Sequence, residues 1–181
     1  MTNRLIPAFT AVGALFLSGL GIALVFGLLA GGGAEPLLIV DPGPVVRWGI
    51  PVAKAFVHFG AALAVGSLMV AAFVLTRRSR AFSLSLTVAA WGAGLMTVAG
   101  AASAFLTFMA IYVEPVSIDQ RFGDLLWLYL QSTEIGRSWL ITVGLGAIVT
   151  VLSVVVRSFG GVFAAGVLSV AALWPLAEQG H

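Results

Sequence analysis

The chain contains no cysteine. Disulfides, thiolate metal sites, iron–sulfur clusters and covalently attached c-type haem are therefore excluded, and any metal must use histidine, methionine, carboxylates or backbone. Charge is scarce too. Only 9% of the 181 residues are Asp, Glu, Lys or Arg, where a soluble domain carries about 25%. Nine basic and seven acidic side chains cannot cover a water-soluble globule of this length. Histidine occurs twice, at His58 and His181. There is no glycine-rich phosphate loop, no His-Glu-x-x-His and no close carboxylate pair in an apolar setting, so acid–base or nucleophilic catalysis is not expected and the chain reads as a non-enzyme. The pI of 9.7 comes with a net charge of only +2, and the basic residues fall in short loops. That pattern belongs to membrane topology and excludes a nucleic-acid stripe.

What the sequence does have is long apolar runs: 60% hydrophobic residues and a mean hydropathy of +1.10. They predict an all-α integral membrane bundle of about five transmembrane helices, at about 5–30, 51–76, 82–113, 139–156 and 159–177, in a single domain over 1–181. The first run carries no charge over 26 residues, which favours a retained helix over a signal peptide, whose apolar region spans roughly 7–15. Placing Arg4, Arg77, Arg78, Arg80 and Arg157 on one side gathers five cations and no acid. The other side receives Glu35, Asp41, Glu114, Asp119, Asp124, Glu134 and Glu178. The positive-inside rule then predicts a cytoplasmic N-terminus and an outer C-terminus.

Two outer segments have content. The prolines and glycine of 35–49 predict an ordered, non-helical loop. Within 114–138, the run 122–131 is too short to cross; Trp127 and Tyr129 suit the headgroup region and predict a short interfacial helix, with a coil packed on the bundle as the alternative. Small residues spaced for close helix packing recur at Ala62 and Gly66, at Gly92, Met96, Gly100 and Ala104, and at Gly161 and Ala165.

Few side chains are candidates for chemistry. His58 lies about two turns inside the predicted second span, and an ionisable group within a membrane span is a functional-site candidate by default. The competing reading is a neutral imidazole hydrogen-bonded to a neighbouring helix. Lys54, one turn away, can snorkel to the interface. Met109, near the outer end of the third span, offers a thioether at an expected similar depth, and imidazole with thioether suits copper; the alternative for it is core filler. His181 follows the fifth span on the same outer side. Glu114 and Glu178 lie nearer water and can attract a cation. Met69 and Met96 read as packing.

The phrases Asp41-Pro-Gly-Pro-Val-Val-Arg-Trp-Gly-Ile-Pro-Val and Val57-His-Phe-Gly-Ala-Ala-Leu-Ala-Val-Gly resemble the start of actinobacterial copper-resistance D (CopD-type) membrane proteins. Thr133-Glu-Ile-Gly-Arg-Ser-Trp looks like the segment leading into that family's next helix, and Leu176-Ala-Glu-Gln-Gly-His resembles a Gly-His that continues into more chain. The resemblance spans most of 38–181. It implies the N-terminal part of a longer protein, often fused to a cytochrome c oxidase assembly (CtaG-type) domain, and maps His58 and His181 onto family histidines; Met109 rests on depth alone. The implied function is copper handling at the cytoplasmic membrane, by uptake or by delivery to outward-facing cuproenzymes such as the terminal oxidase. Implied partners beyond the lipid bilayer are respiratory complex subunits or a periplasmic copper carrier. Two alternatives stand beside it: a metal-free structural or assembly subunit of a respiratory complex, and a b-type cytochrome, for which two histidines allow at most one haem.

Overall fold

The computed structural model describes residues 5–32, 35, 41–113 and 116–178, and no strand occurs among them. Seven helices follow one another: α1 (Leu5–Ala30), α2 (Pro44–Phe73), α3 (Arg80–Tyr112), α4 (Gln120–Ser132), α5 (Glu134–Val155), α6 (Phe159–Ala171) and α7 (Trp174–Glu178). Among the described residues, four helical stretches are long and apolar enough to cross a membrane: Pro44–Phe73, Arg80–Tyr112, Glu134–Val155 and Phe159–Ala177. They form a ring in which α2 packs on α3, α3 on α5, α5 on α6 and α6 back on α2. α1 stands apart from that ring. Its side chains described beyond Leu15 are almost all exposed, Ile22 and Phe26 at 70% and 71%.

Helix ends follow local chemistry. Ser79, Asp119, Thr133 and Ser158 cap α3, α4, α5 and α6, each side-chain oxygen accepting the amide three residues on. α2 begins at Pro44, seven residues before the predicted span, so 44–49 is helical rather than loop. Pro44 sits at the start of the helix, where an amide donor is not needed, and Pro51 is tolerated inside it at the cost of one hydrogen bond to the Arg47 carbonyl. Likewise α5 takes in 134–138 from the predicted outer segment, because Thr133 starts it. The predicted last span is interrupted at Ala172–Leu173. Pro175 cannot donate to the Ala171 carbonyl, so α6 stops at Ala171 and the helix restarts at Trp174, immediately before the proline.

Two apolar clusters fill the ring. One, toward the α2–α3 and α5–α6 turns, holds Leu68, Phe82, Leu86, Val149 and Val162. The other, toward α4, holds Val57, Ala61, Met96, Trp139 and Ala172. Between them α2 and α3 nearly touch: a Cβ on Gly60 would lie 2.6 Å from the Gly92 carbonyl oxygen, and one on Gly92 2.7 Å from the Ala64 nitrogen. The glycines are required here by backbone approach. Gly92, Met96, Gly100 and Ala104 are all buried as the spacing predicts, but Ala62 and Gly66 are exposed; Gly60 makes the contact instead. Several hydroxyls within the spans bond locally, Thr142 Oγ1 donating to the Ser138 carbonyl at 2.8 Å, or across helices, Ser85 Oγ donating to the Ser67 carbonyl at 2.8 Å, while Ser103 and Ser153 Oγ have no partner among the described residues.

Candidate functional site: the α4 end and the basic face of α2

The Asp41 phrase is a helix-start device. Asp41 Oδ1 accepts the Gly43 amide at 3.1 Å, Gly43 takes φ 92, and Pro44 opens the helix. The same carboxylate oxygen lies 3.5 Å from Arg47 Nε, holding a guanidinium that is only 15% exposed. Arg47 Nε and Nη1 are buried without a hydrogen-bond partner among the described residues. Arg47, Lys54 and His58 are spaced seven and four residues apart, so they share one face of α2. Nothing in the sequence reading singled out Arg47, although the seven–four spacing was there to be found.

Beside this start, α4 is fastened to the end of α3 by rings. Phe108 lies 5.4 Å from Phe122 and 5.7 Å from Tyr129, and Tyr112 6.4 Å from Tyr129, centroid to centroid. Tyr129 is fully buried, not placed among headgroups as its type predicts; Trp127 is the exposed ring of the pair. Burial, and next the neighbouring Tyr112, push the Tyr129 phenol up to about 12. At the helix start, the Phe122 amide and then the Ser117 hydroxyl hold the Asp119 carboxyl below its usual range. A short helix is therefore present where one was predicted, with Asp124 and Gln131 exposed and Leu126 and Leu130 turned to a cavity shared with Phe105, Trp139 and Val143.

The turn from α4 into α5 rests on one residue. Thr133 Oγ1 donates to the Tyr129 carbonyl at 2.8 Å and accepts the Gly136 amide at 2.9 Å, capping both helices. Gly136 sits so close to the Tyr129 carbonyl that no Cβ fits. The Thr133–Trp139 phrase is thus a corner between two helices.

The two sequence-predicted ligands among the described residues, His58 and Met109, are not brought together. His58 is exposed, at the middle of α2 and four turns from its start rather than two. Met109 is half-buried, one turn from the end of α3. Opposed positions on the antiparallel α2 and α3 run from Gly49 with Leu106 to Gly60 with Gly92 and Met96. On that register Met109 lies about 18 Å along the axis from His58, at 1.5 Å per residue. The expectation of equal depth is corrected: it counted from a helix start placed seven residues late. His181 and Glu114 lie outside the described residues. Among those described, no three His, Asp or Glu side chains converge.

The ring of long apolar helices, capped at one end by a short helix and with Arg47, Lys54 and His58 along one face of α2, is that of a multi-pass helical membrane protein. The chain belongs to the copper resistance protein D-like family, whose N-terminal domain matches residues 44–181. Membership gives it a role in copper resistance or handling. The match begins at Pro44 and so excludes α1. No curated protein and no solved structure matches the chain.

Proposed function

We propose that this protein moves copper through the cytoplasmic membrane, by uptake or by delivery to outward-facing cuproenzymes, with His58 as a ligand for the ion in transit. The family match over 44–181 carries the reading. Supporting it is an imidazole at the centre of a membrane-capable helix with no partner among the described residues. Copper is cargo here, and a single imidazole holds it weakly enough to release it. Lys54, one turn nearer the α4 end on the same face, opposes a cation's approach and keeps residence short. Met109 acts separately, as a station nearer the α4 end, since the two residues cannot share one coordination sphere at their separation.

The same proposal includes five spans, with α1 as the first, and a cytoplasmic N-terminus. The confinement of acids to one end supports it: among the described residues the end with the α2–α3 and α5–α6 turns carries cations alone, whereas the α4 end carries Arg47, Arg121 and Arg137 together with the acids. Arg77, Arg78, Arg80 and Arg157 gather at the end holding the α2–α3 and α5–α6 turns, where Arg77 stacks over the Phe159 ring at 5.8 Å. Asp41, Asp119, Asp124 and Glu134 gather at the α4 end, which is then outside, with α4 lying at the outer surface. Titration of purified protein with Cu(I) against a competing chelator tests the ligand. His58→Ala should abolish binding and Met109→Leu should weaken it with the fold intact. Unchanged affinity in His58→Ala removes His58 from the path. It would favour the metal-free assembly subunit, a reading to which the cation-repelling Lys54 also lends support.

A further inference from the structure

Two unpartnered surfaces of this chain match each other. α2 leaves His58, Ala62 and Gly66 exposed at four-residue spacing, one face of the helix. An imidazole facing hydrocarbon with no hydrogen-bond partner is costly, so in the membrane that face is covered by something able to satisfy it. α1 has the opposite problem. It is a helix of 26 residues whose described side chains are nearly all exposed, and it includes Ser18, an exposed hydroxyl.

We infer that α1 packs antiparallel on the exposed face of α2 and that the Ser18 hydroxyl meets the His58 imidazole. This rests on the proposal that α1 spans the membrane with its N-terminus on the side of the α2–α3 turn. Depth selects the pairing. Ser18 is 13 residues from the start of α1 and 12 from its end; His58 is 14 from the start of α2 and 15 from its end. Both therefore sit at the midpoint of their helices, and their levels agree from whichever end they are counted. The tether allows it, since residues 31–43 join the two helices and, at about 3.3–3.6 Å per residue, outreach the 8–10 Å between packed helix axes several times over. Approach is unobstructed as well: Gly21, one turn from Ser18, and Gly66, two turns from His58, have open space where a Cβ would stand. Small residues on both sides let the backbones close in. α1 then forms the second wall of the His58 site and decides which groups besides imidazole a passing ion meets.

The absence of native cysteine makes the test clean. In full-length protein in native membranes, S18C with H58C should cross-link with a short bis-maleimide into a faster-migrating monomer band. A14C with A62C, one turn along the same register and with His58 retained, should do the same. L20C with H58C, on the far side of α1, should not. Cross-linking at dimer mass, or none from either of the first two pairs, overturns the docking. Cysteine at Thr2, probed with an impermeant reagent from outside, separates the two layers of the argument. Protection there with no cross-link sinks the docking alone, and labelling there on the same side as a cysteine at Ser117 sinks the span as well.

Discussion

Burial of Tyr129 against Phe108 and Tyr112 removes the water that a phenolate would need. The folded protein keeps this proton up to about 12, whereas the unfolded chain loses it near 10.0. Stability from this group is therefore complete below pH 10 and drains away as pH rises from there toward 12. Tyr129→Phe should flatten the alkaline fall in melting temperature, read by thermal denaturation in detergent between pH 8 and pH 12. At neutral pH it should cost nothing or stabilise slightly, because the hydroxyl has no partner among the described residues. An alkaline fall of unchanged depth would show that another group controls it. Residue type alone places tyrosine at the membrane surface, and only the opposing rings of α3 reveal that this one is inside. His58 shows the converse. Its identity as a candidate was legible from one polar residue in an apolar run, but its face and its distance from Met109 depended on a helix start that two prolines disguised.

At the level of helices, the sequence announces spans far better than contacts. Apolar runs separated by charged or proline-bearing turns leave little choice of element, and α3, α5 and α6 lie close to their predicted positions. Which faces meet is harder, because 22 glycines and many alanines produce small-residue spacing on several faces of each helix. Ala62 and Gly66 satisfy the spacing as well as Gly60 does, and only Gly60 lies against a neighbour's backbone. Gly60→Ala should therefore destabilise the bundle by about 1–3 kcal/mol, the usual cost of overpacking. Gly144→Ala, at a helical position with nothing within 4 Å of the new methyl, should be neutral or slightly stabilising through helix propensity. Denaturation in mixed micelles measures both, and equal effects would mean that the α2–α3 approach does not limit stability. The Thr133 corner is a third element-level feature. Its phrase was recognisable as a family resemblance before its role was, since a cap shared by two helices appears only when both are in place.

For the whole molecule, the proposed orientation is open to direct test. Cysteines introduced at Ser79 and Ser117 should label oppositely with an impermeant reagent applied from outside, position 117 reacting and position 79 protected. The reverse pattern would invert the orientation and bring the α4 end into the cytoplasm. The helix lengths carry one more consequence, a hydrophobic mismatch between neighbouring helices of the bundle. α2 and α3, at 30 and 33 residues, are about 45 and 50 Å long, whereas α5, at 22 residues, is about 33 Å and matches a bilayer core of about 30 Å. Gly100 lies against Val143 and Gly94 against Thr150, so α5 begins level with Met109 and ends level with Val88, leaving about 12 Å of α3 beyond α5 at the α2–α3 turn and only about 5 Å where α4 sits. Met109 therefore sits at the level of the first turn of α5, and the long end of α3 stands beside Arg77, Arg78 and Arg80.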